Sequence, residues 1–119
     1  MARILVADDD QFTRDMVRRA LATDGHEITT VEDGATALGV IEAGADFDLV
    51  ITDVDMPNMS GVELAEALVA RDARQRIIIM SGLADELARA RSLLSPSVRM
   101  ITKPVSLEKI RGESMELLG

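Results

Sequence analysis

Five acidic side chains in two short clusters are the residues of this sequence best suited to chemistry. The first cluster is Asp8, Asp9 and Asp10, and the second is Asp53 and Asp55. Clustered carboxylates repel one another unless a cation joins them, and a hard divalent ion such as Mg²⁺ takes oxygen ligands of this kind. The chain has no cysteine and a single histidine, which excludes thiolate sites and sites built on several imidazoles. Any bound metal is therefore predicted to be held mainly by oxygen.

The overall charge and the lack of long apolar runs narrow the class of partner. Thirteen basic and 21 acidic residues give a formal net charge of -8 over 119 residues, which repels a phosphate backbone. We therefore expect no direct contact with nucleic acid. No apolar run approaches the roughly 18 residues that span a bilayer, and no signal-peptide core begins the chain. These features predict one domain over residues 1–119, in the cytoplasm and without membrane contact.

Five short apolar segments predict five β-strands. Apolar residues at helical spacing predict a helix after each strand, the fourth over Leu83 to Leu94 and the last beginning after Ser106. The pattern places Phe12 on the apolar face of the first helix. It places Leu107, Ile110, Met115 and Leu118 on that of the last helix. The predicted strands are Arg3 to Ala7, Glu27 to Val31, Asp48 to Thr52, Arg76 to Met80 and Val98 to Thr102.

Regular alternation of strands and helices predicts an α/β fold. Right-handed crossovers between the strands give a parallel sheet that is covered by helices on both faces. In the doubly wound, flavodoxin-like arrangement of five strands the order is 2-1-3-4-5, and the functional crevice lies beyond the carboxyl ends of strands 1 and 3. Polar residues that end or follow a strand then meet at this edge of the sheet. They are Asp8, Asp9, Asp53, Ser81 and Lys103.

The predicted crevice has the components of a phosphoryl-transfer site. Asp53 is a candidate nucleophile toward phosphorus, which would form an aspartyl phosphate. Phosphoryl transfer mainly needs positioning and charge neutralisation, which Mg²⁺ on one side and Lys103 on the other would supply. The Ser81 hydroxyl would donate to a third phosphoryl oxygen. Repulsion among the carboxylates predicts that the pKa of at least one of them is raised.

Each of these residues also has an ordinary structural interpretation. Asp8 or Asp9 could cap the first helix, a role that Asp10 or Gln11 could equally serve. Taken alone, Ser81 could be a turn hydroxyl and Lys103 a solvated surface charge. Their shared position at one sheet edge favours the functional interpretation.

Four motifs in order resemble the receiver domain of two-component response regulators. They are ILVADDD at 4–10, LVITDVDMPNMSG at 49–61, IIIMSG at 77–82 and ITKP at 101–104, so the resemblance covers essentially the whole chain. It implies a phosphorylation-dependent signalling module of the stand-alone type, with Asp53 as phosphoacceptor, Ser81 as switch hydroxyl and Lys103 as phosphate partner.

The resemblance also implies a metal site and a backbone geometry. Mg²⁺ would be bound by Asp8, Asp9 and Asp53 together with the backbone carbonyl of Asp55, and the Lys103-Pro104 peptide would be cis. One position departs from the family pattern, because the aromatic residue usual three positions before the lysine is Met100 here. We therefore expect switching that is small and distributed.

The resemblance further implies partners and limits on activity. The phosphate donor would be a histidine kinase or a histidine phosphotransfer protein, and the target a downstream protein that remains to be identified. Because no residues follow the last predicted helix, we expect the output to be protein binding rather than DNA binding or enzymatic turnover. The chain would catalyse only its own phosphorylation and dephosphorylation.

An alternative function is a small phosphatase with an aspartate nucleophile. Asp53-Val54-Asp55 fits the Asp-x-Asp motif of the haloacid-dehalogenase type. That fit is partial, since the motif usually ends the first strand of a larger domain and here ends the third. Rapid turnover of small phosphate esters would favour this alternative.

Overall fold

A computed structural model describes residues 2–82 and 91–119 of the chain. Within these ranges a parallel five-stranded sheet has the predicted order β2-β1-β3-β4-β5. The strands are β1 (Arg3–Ala7), β2 (Glu27–Val31), β3 (Leu49–Asp53), β4 (Arg76–Ser81) and β5 (Val98–Thr102). The helices of the described ranges are α1 (Gln11–Thr23), α2 (Gly34–Glu42), α3 (Gly61–Arg71) and α4 (Leu107–Leu118).

The helix predicted over Leu83 to Leu94 falls mostly on residues 83–90, which lie outside the described residues. Its described end differs from the prediction, because Arg91–Leu93 form a single 3-10 turn. Leu94 follows this turn and is 41% exposed. Beyond this turn, Ser95 and Val98 form an isolated antiparallel bridge that leads into β5.

Two strands continue one residue further than predicted, and both extensions bring a polar residue into the sheet. β3 ends at Asp53 and β4 at Ser81. Backbone hydrogen bonds account for this, since the Val54 amide donates to the Met80 carbonyl (3.1 Å) and the Lys103 amide to the Ser81 carbonyl (2.8 Å). The backbone of both polar residues is thus held by the rigid sheet.

Alternate residues of the interior strands build two separate core layers, as expected for a sheet covered on both faces. One layer, beneath α2 and α3, includes Leu5, Val50, Ile77 and Ile79. The other, beneath α1 and α4, includes Ile4, Leu49, Ile51, Ile78 and Met80. The prediction that the sheet is covered on both faces is confirmed for β4, because Ile77 to Ser81 are all buried. The sheet edge that carries the polar residues therefore rests on a tightly packed support.

The predicted apolar face of the first helix is wrong at one position. Val17, Ala20 and Leu21 are the buried residues of α1, whereas Phe12 is 78% exposed. Phe12 is five residues before Val17, which places it about 140° away around the helix. It therefore points away from the sheet.

The last helix buries Ile110 as predicted and Leu118 in part, but not Leu107 or Met115. Leu107 and Met115 are 46% and 64% exposed, while Ile110, Ser114 and Leu117 are buried. The buried positions follow the i, i+4, i+7 spacing of one helix face, and the serine at the middle position interrupts the apolar pattern of that face. Among the described residues, no helix is long and apolar enough to cross a membrane.

Candidate functional site

Three carboxylates meet at the carboxyl end of the two adjacent strands β1 and β3. Ala7 lies opposite Thr52 in the register, so Asp8 and Asp53, which follow them, end up side by side. One carboxylate oxygen from each of Asp8, Asp9 and Asp53 lies within 4.8 Å of the other two. Asp8 and Asp53 are buried and Asp9 is exposed. The structure thus brings together the acidic residues that were predicted to meet.

The predicted lysine and serine reach the same edge. The Lys103 ammonium lies 2.9 Å from Oδ1 of Asp53. Lys103 follows β5 and is joined to Pro104 by a cis peptide bond, as the family resemblance implied. Ser81 is buried at the end of β4, one residue beyond Met80, which is the register partner of Asp53. Four strand ends therefore supply the polar residues of one crevice.

Burial shapes the titration of Asp8. It raises the pKa of this carboxyl to about 6, and the nearby charge of Asp53 adds to the effect, while the hydrogen bond from the Asp10 amide opposes it. The prediction that one carboxylate titrates upward is thus right in direction. Its stated cause is corrected, because loss of water around Asp8 outweighs repulsion between carboxylates.

The central ion pair of the crevice is also held out of water. Burial raises the pKa of Asp53, and the hydrogen bond and positive charge of Lys103 only partly offset this. Burial lowers the pKa of Lys103, but the hydrogen bond and charge of Asp53 together with the charges of Asp8 and Asp9 raise the pKa above its usual value. The lysine is therefore charged at neutral pH and favours the ionised form of Asp53.

The two oxygens of Asp8 have different surroundings. Oδ1 accepts a hydrogen bond from the Asp10 amide at 2.9 Å. Oδ2 is buried and has no hydrogen-bond partner among residues 2–82 and 91–119. A buried carboxylate oxygen without a donor is costly, and a cation beside it would remove that cost. The acidic pocket of Asp8, Asp9 and Asp53 therefore fits a hard divalent cation.

Asp10 has a separate, structural task. It is the N-cap of α1 and accepts hydrogen bonds from the backbone amide (3.3 Å) and hydroxyl (2.6 Å) of Thr13. The Thr13 hydroxyl is the main reason why the pKa of Asp10 is lowered. Of the candidate caps, the structure selects Asp10, which leaves the carboxylates of Asp8 and Asp9 available to the pocket.

Gly61 permits the loop after β3 to approach the strand end closely. A Cβ atom at this glycine would lie 2.0 Å from the Asp53 carbonyl oxygen, which is too close for any other residue type. The Gly61 amide donates to the Val54 carbonyl at 2.9 Å, closing the loop. The sequence indicated a turn here, but the steric need for glycine appears only in the structure. Asp55 lies in this loop with an exposed side chain.

Arg14 is a residue beside the site that the sequence analysis missed. Its guanidinium Nη1 donates to the backbone carbonyl of Asp8 at 2.6 Å. The sequence could have indicated this contact through the position of Arg14, one turn inside α1. A long side chain there extends toward the N-terminus of its helix, where the Asp8 to Asp10 loop lies.

Comparisons with known proteins agree with this geometry. The family model of the response regulator receiver domain matches residues 4–113, and the chain belongs to this family. It is 30% identical to the response regulator receiver protein CpdR of Brucella abortus, over 99% of this chain and 98% of that protein. It is also 30% identical to the chemotaxis protein CheY of Treponema pallidum, over 91% of this chain and 76% of that protein.

A solved structure extends the likeness to three dimensions. The response regulator TrrA of Thermotoga maritima, described as a complex with Mg²⁺-BeF, superimposes with a TM-score of 0.87. The two chains are 28% identical, and the match covers 98% of this chain and 99% of the other. Family, fold and site together identify a phosphorylation-dependent signalling domain of two-component systems. None of these comparisons supports the phosphatase alternative.

Proposed function

We propose that Asp53 accepts a phosphoryl group from a histidine kinase or a histidine phosphotransfer protein. The observation that carries this proposal is the contact of 2.9 Å between Asp53 and Lys103 beside two further carboxylates. A nucleophilic carboxylate must be ionised when it reacts, and Lys103 favours that form. The rigid end of β3 holds the nucleophile in place.

The proposed transfer exchanges one bond to phosphorus for another. An oxygen of Asp53 attacks the phosphorus of a phosphohistidine, the P–O bond forms as the P–N bond breaks, and the imidazole leaves after taking a proton. Lys103 and the Ser81 hydroxyl would hold phosphoryl oxygens during this step. Hydrolysis reverses the modification when water attacks the phosphorus and inorganic phosphate leaves. The chain would thus catalyse only its own phosphorylation and dephosphorylation.

The metal of this reaction would be Mg²⁺, held by Asp8, Asp9, Asp53 and the backbone carbonyl of Asp55. When bound, it supplies positive charge that neutralises the phosphoryl oxygens. Two observations support it. Oδ2 of Asp8 is buried and has no donor among the described residues, and the Thermotoga relative is described as a complex with Mg²⁺-BeF.

The output would be a change in binding to a downstream protein in the cytoplasm. The net charge of -8 argues against direct contact with nucleic acid. Met100, in place of the usual aromatic residue, is half-buried and packs against the core layer beneath α2 and α3. A flexible side chain there supports the expectation of a small and distributed change.

Intact-protein mass spectrometry after incubation with acetyl phosphate and Mg²⁺ tests the proposal. Wild type is expected to gain one phosphate, and Asp53→Asn none. Asp48→Asn, at the opposite end of the sheet, is a matched control and should gain phosphate like wild type. An unchanged wild-type mass, or a phosphate on Asp53→Asn, would contradict the assignment. Steady release of nitrophenol from p-nitrophenyl phosphate would instead favour the phosphatase.

A further inference from the structure

Arg14 forms a strong contact with the acidic loop that the transfer reaction itself does not use. Its guanidinium donates to the Asp8 carbonyl at 2.6 Å, and its side chain is only 13% exposed. Hydrogen bonds from a charged donor are stronger than neutral ones, and exclusion of water strengthens them further. This contact therefore ties the body of α1 to the peptide between Asp8 and Asp9.

The loop from Asp8 to Asp10 has to carry two carboxylates toward Asp53 against their repulsion. The backbone hydrogen bond of Asp8 is long, since its amide donates to the Val31 carbonyl at 3.2 Å, and it supports the loop only weakly. Oδ1 of the Asp8 carboxylate accepts a hydrogen bond from the Asp10 amide. The guanidinium of Arg14 fixes the carbonyl on the other side of the same residue, so the peptide that leads into Asp9 cannot rotate freely.

Glu32 faces the same guanidinium from the loop after β2. Its Oε1 lies 3.7 Å from Nη2 of Arg14, and its side chain is 81% exposed. An exposed ion pair of this length contributes little energy. We therefore expect Glu32 to contribute far less to the position of Arg14 and the acidic loop than the hydrogen bond from Arg14 to the Asp8 carbonyl does.

We propose that Arg14 is a positioning residue for the metal-binding pair Asp8 and Asp9. Its bond to the Asp8 carbonyl holds both carboxylates within reach of Asp53 before a cation arrives, so that the pocket is ready for binding. This inference depends on the proposed function, because it assigns Arg14 to the affinity for Mg²⁺. Asp53, Ser81 and Lys103 carry the transfer itself, so the loss of Arg14 should weaken metal binding more than chemistry at saturating metal.

Isothermal titration calorimetry with Mg²⁺ tests this role in three variants of the full chain. Arg14→Met keeps the apolar stem and removes every donor, and we expect its Kd to rise about tenfold, as is typical when a residue that orients a metal ligand is lost. Arg14→Lys keeps one charged donor and should lie between Arg14→Met and wild type. The matched control is Arg18→Met, one turn further along α1, where the arginine pairs at the surface with Asp15. Its Kd should equal that of wild type.

A second measurement separates positioning from general stability. At saturating Mg²⁺, phosphorylation of Arg14→Met by acetyl phosphate should proceed at close to the wild-type rate. A merely structural arginine would lower the melting temperature without Mg²⁺ and leave the Kd of the folded protein unchanged, and that result would overturn the proposal. If Arg14→Met does not fold, the Kd of Arg14→Lys provides the same test. A wild type that neither binds Mg²⁺ nor accepts phosphate would instead refute the proposed function.

Discussion

At the amino edge of the sheet, where the strands begin, Asp24 and Asp48 each accept hydrogen bonds, whereas at the carboxyl edge one carboxylate oxygen is buried with no donor among the described residues. Arg111 of α4 binds Asp24 at the end of α1 through two hydrogen bonds of 2.6 and 3.0 Å. The Arg3 amide donates to Asp48 at 2.8 Å. At the carboxyl edge, Oδ2 of Asp8 is buried and unpaired within the described ranges.

The titration of the two edges follows from this difference. The hydrogen bond from Arg111 lowers the pKa of Asp24, while burial raises the pKa of Asp8 and of Asp53. Ionised Asp24 therefore stabilises the fold, and ionised Asp8 opposes it. At the amino edge an ionised carboxylate thus stabilises the fold. At the carboxyl edge ionised carboxylates destabilise it, and there they would bind a cation and accept a phosphoryl group.

The largest expected effect comes from displacing the backbone of the carboxyl edge. Gly61→Ala places a Cβ atom against the Asp53 carbonyl, so we expect a loss of about 3 kcal/mol in the free energy of unfolding. Gly112→Ala in α4 is the control, since a Cβ there meets nothing, and should gain up to about 1 kcal/mol. Urea unfolding followed by circular dichroism measures both. Equal free energies of unfolding for the two variants would contradict this prediction, because they would show that the loop after β3 can move to accommodate the Cβ atom.

Adding Mg²⁺ should relieve the cost at the carboxyl edge alone. A cation that binds only the folded state at a hundred times its Kd stabilises it by about 2.7 kcal/mol. Asp9→Ala should lose most of this gain, because it removes a ligand, whereas Asp24→Asn should keep it. Thermal melts with and without Mg²⁺ check this. A full Mg²⁺ shift in Asp9→Ala would remove Asp9 from the proposed ligands.

Without metal, pH should change stability at the carboxyl edge in an unusual direction. The pKa of Asp8 is about 6 in the folded state against an ordinary value of 3.8, so the folded chain keeps this proton to a higher pH. The free energy of unfolding should therefore fall as the pH rises from about 4 to about 6, by about 1 to 2 kcal/mol after allowance for solvent screening. Asp8→Asn should flatten this dependence, and a residual slope of the same sign is expected from Asp53. Urea midpoints across this pH range test it, and a slope in Asp8→Asn equal to that of wild type would contradict it.

The smallest effect is expected at the amino edge and has the opposite sign. Because the pKa of Asp24 is lowered, its stabilising contribution is present above the usual value and is lost as the pH falls through the folded-state value. Asp24→Asn should destabilise the fold slightly at neutral pH, and added salt should reduce the difference because the pair is accessible to solvent. Melting temperatures at low and high salt measure this. A higher melting temperature for Asp24→Asn than for wild type would contradict the claim that ionised Asp24 stabilises the fold.

The sequence predicted the strands, their order and the meeting of the polar residues well, for one physical reason. Each of Asp8, Asp53, Ser81 and Lys103 lies at the carboxyl end of an apolar segment, and parallel strands bring such ends together whatever the details of packing. The family motifs added the cis peptide at Lys103, which no local pattern in this chain would have indicated.

Features that depend on rotation and packing of helices were not predictable in this way. The exposure of Phe12 and the buried face of α4 depend on how each helix turns toward the sheet. The contact of Arg14 with Asp8 requires a specific side-chain path, and the cause of the raised Asp8 pKa requires knowledge of how deeply the carboxyl is buried. Sequence patterns give the residue types, but such distances come only from the folded chain.

The strand order described above has a consequence for damaged or unfinished molecules. The crevice draws residues from positions 8, 53, 81 and 103, so it exists only after most of the chain has come into register. Contacts between segments so far apart in the chain form slowly, because the entropy of loop closure is lost before they are made. Under the proposed function, a truncated or partly unfolded copy would therefore accept no phosphate, because its crevice is incomplete. Only chains in which the whole sheet is formed would then take part in signalling.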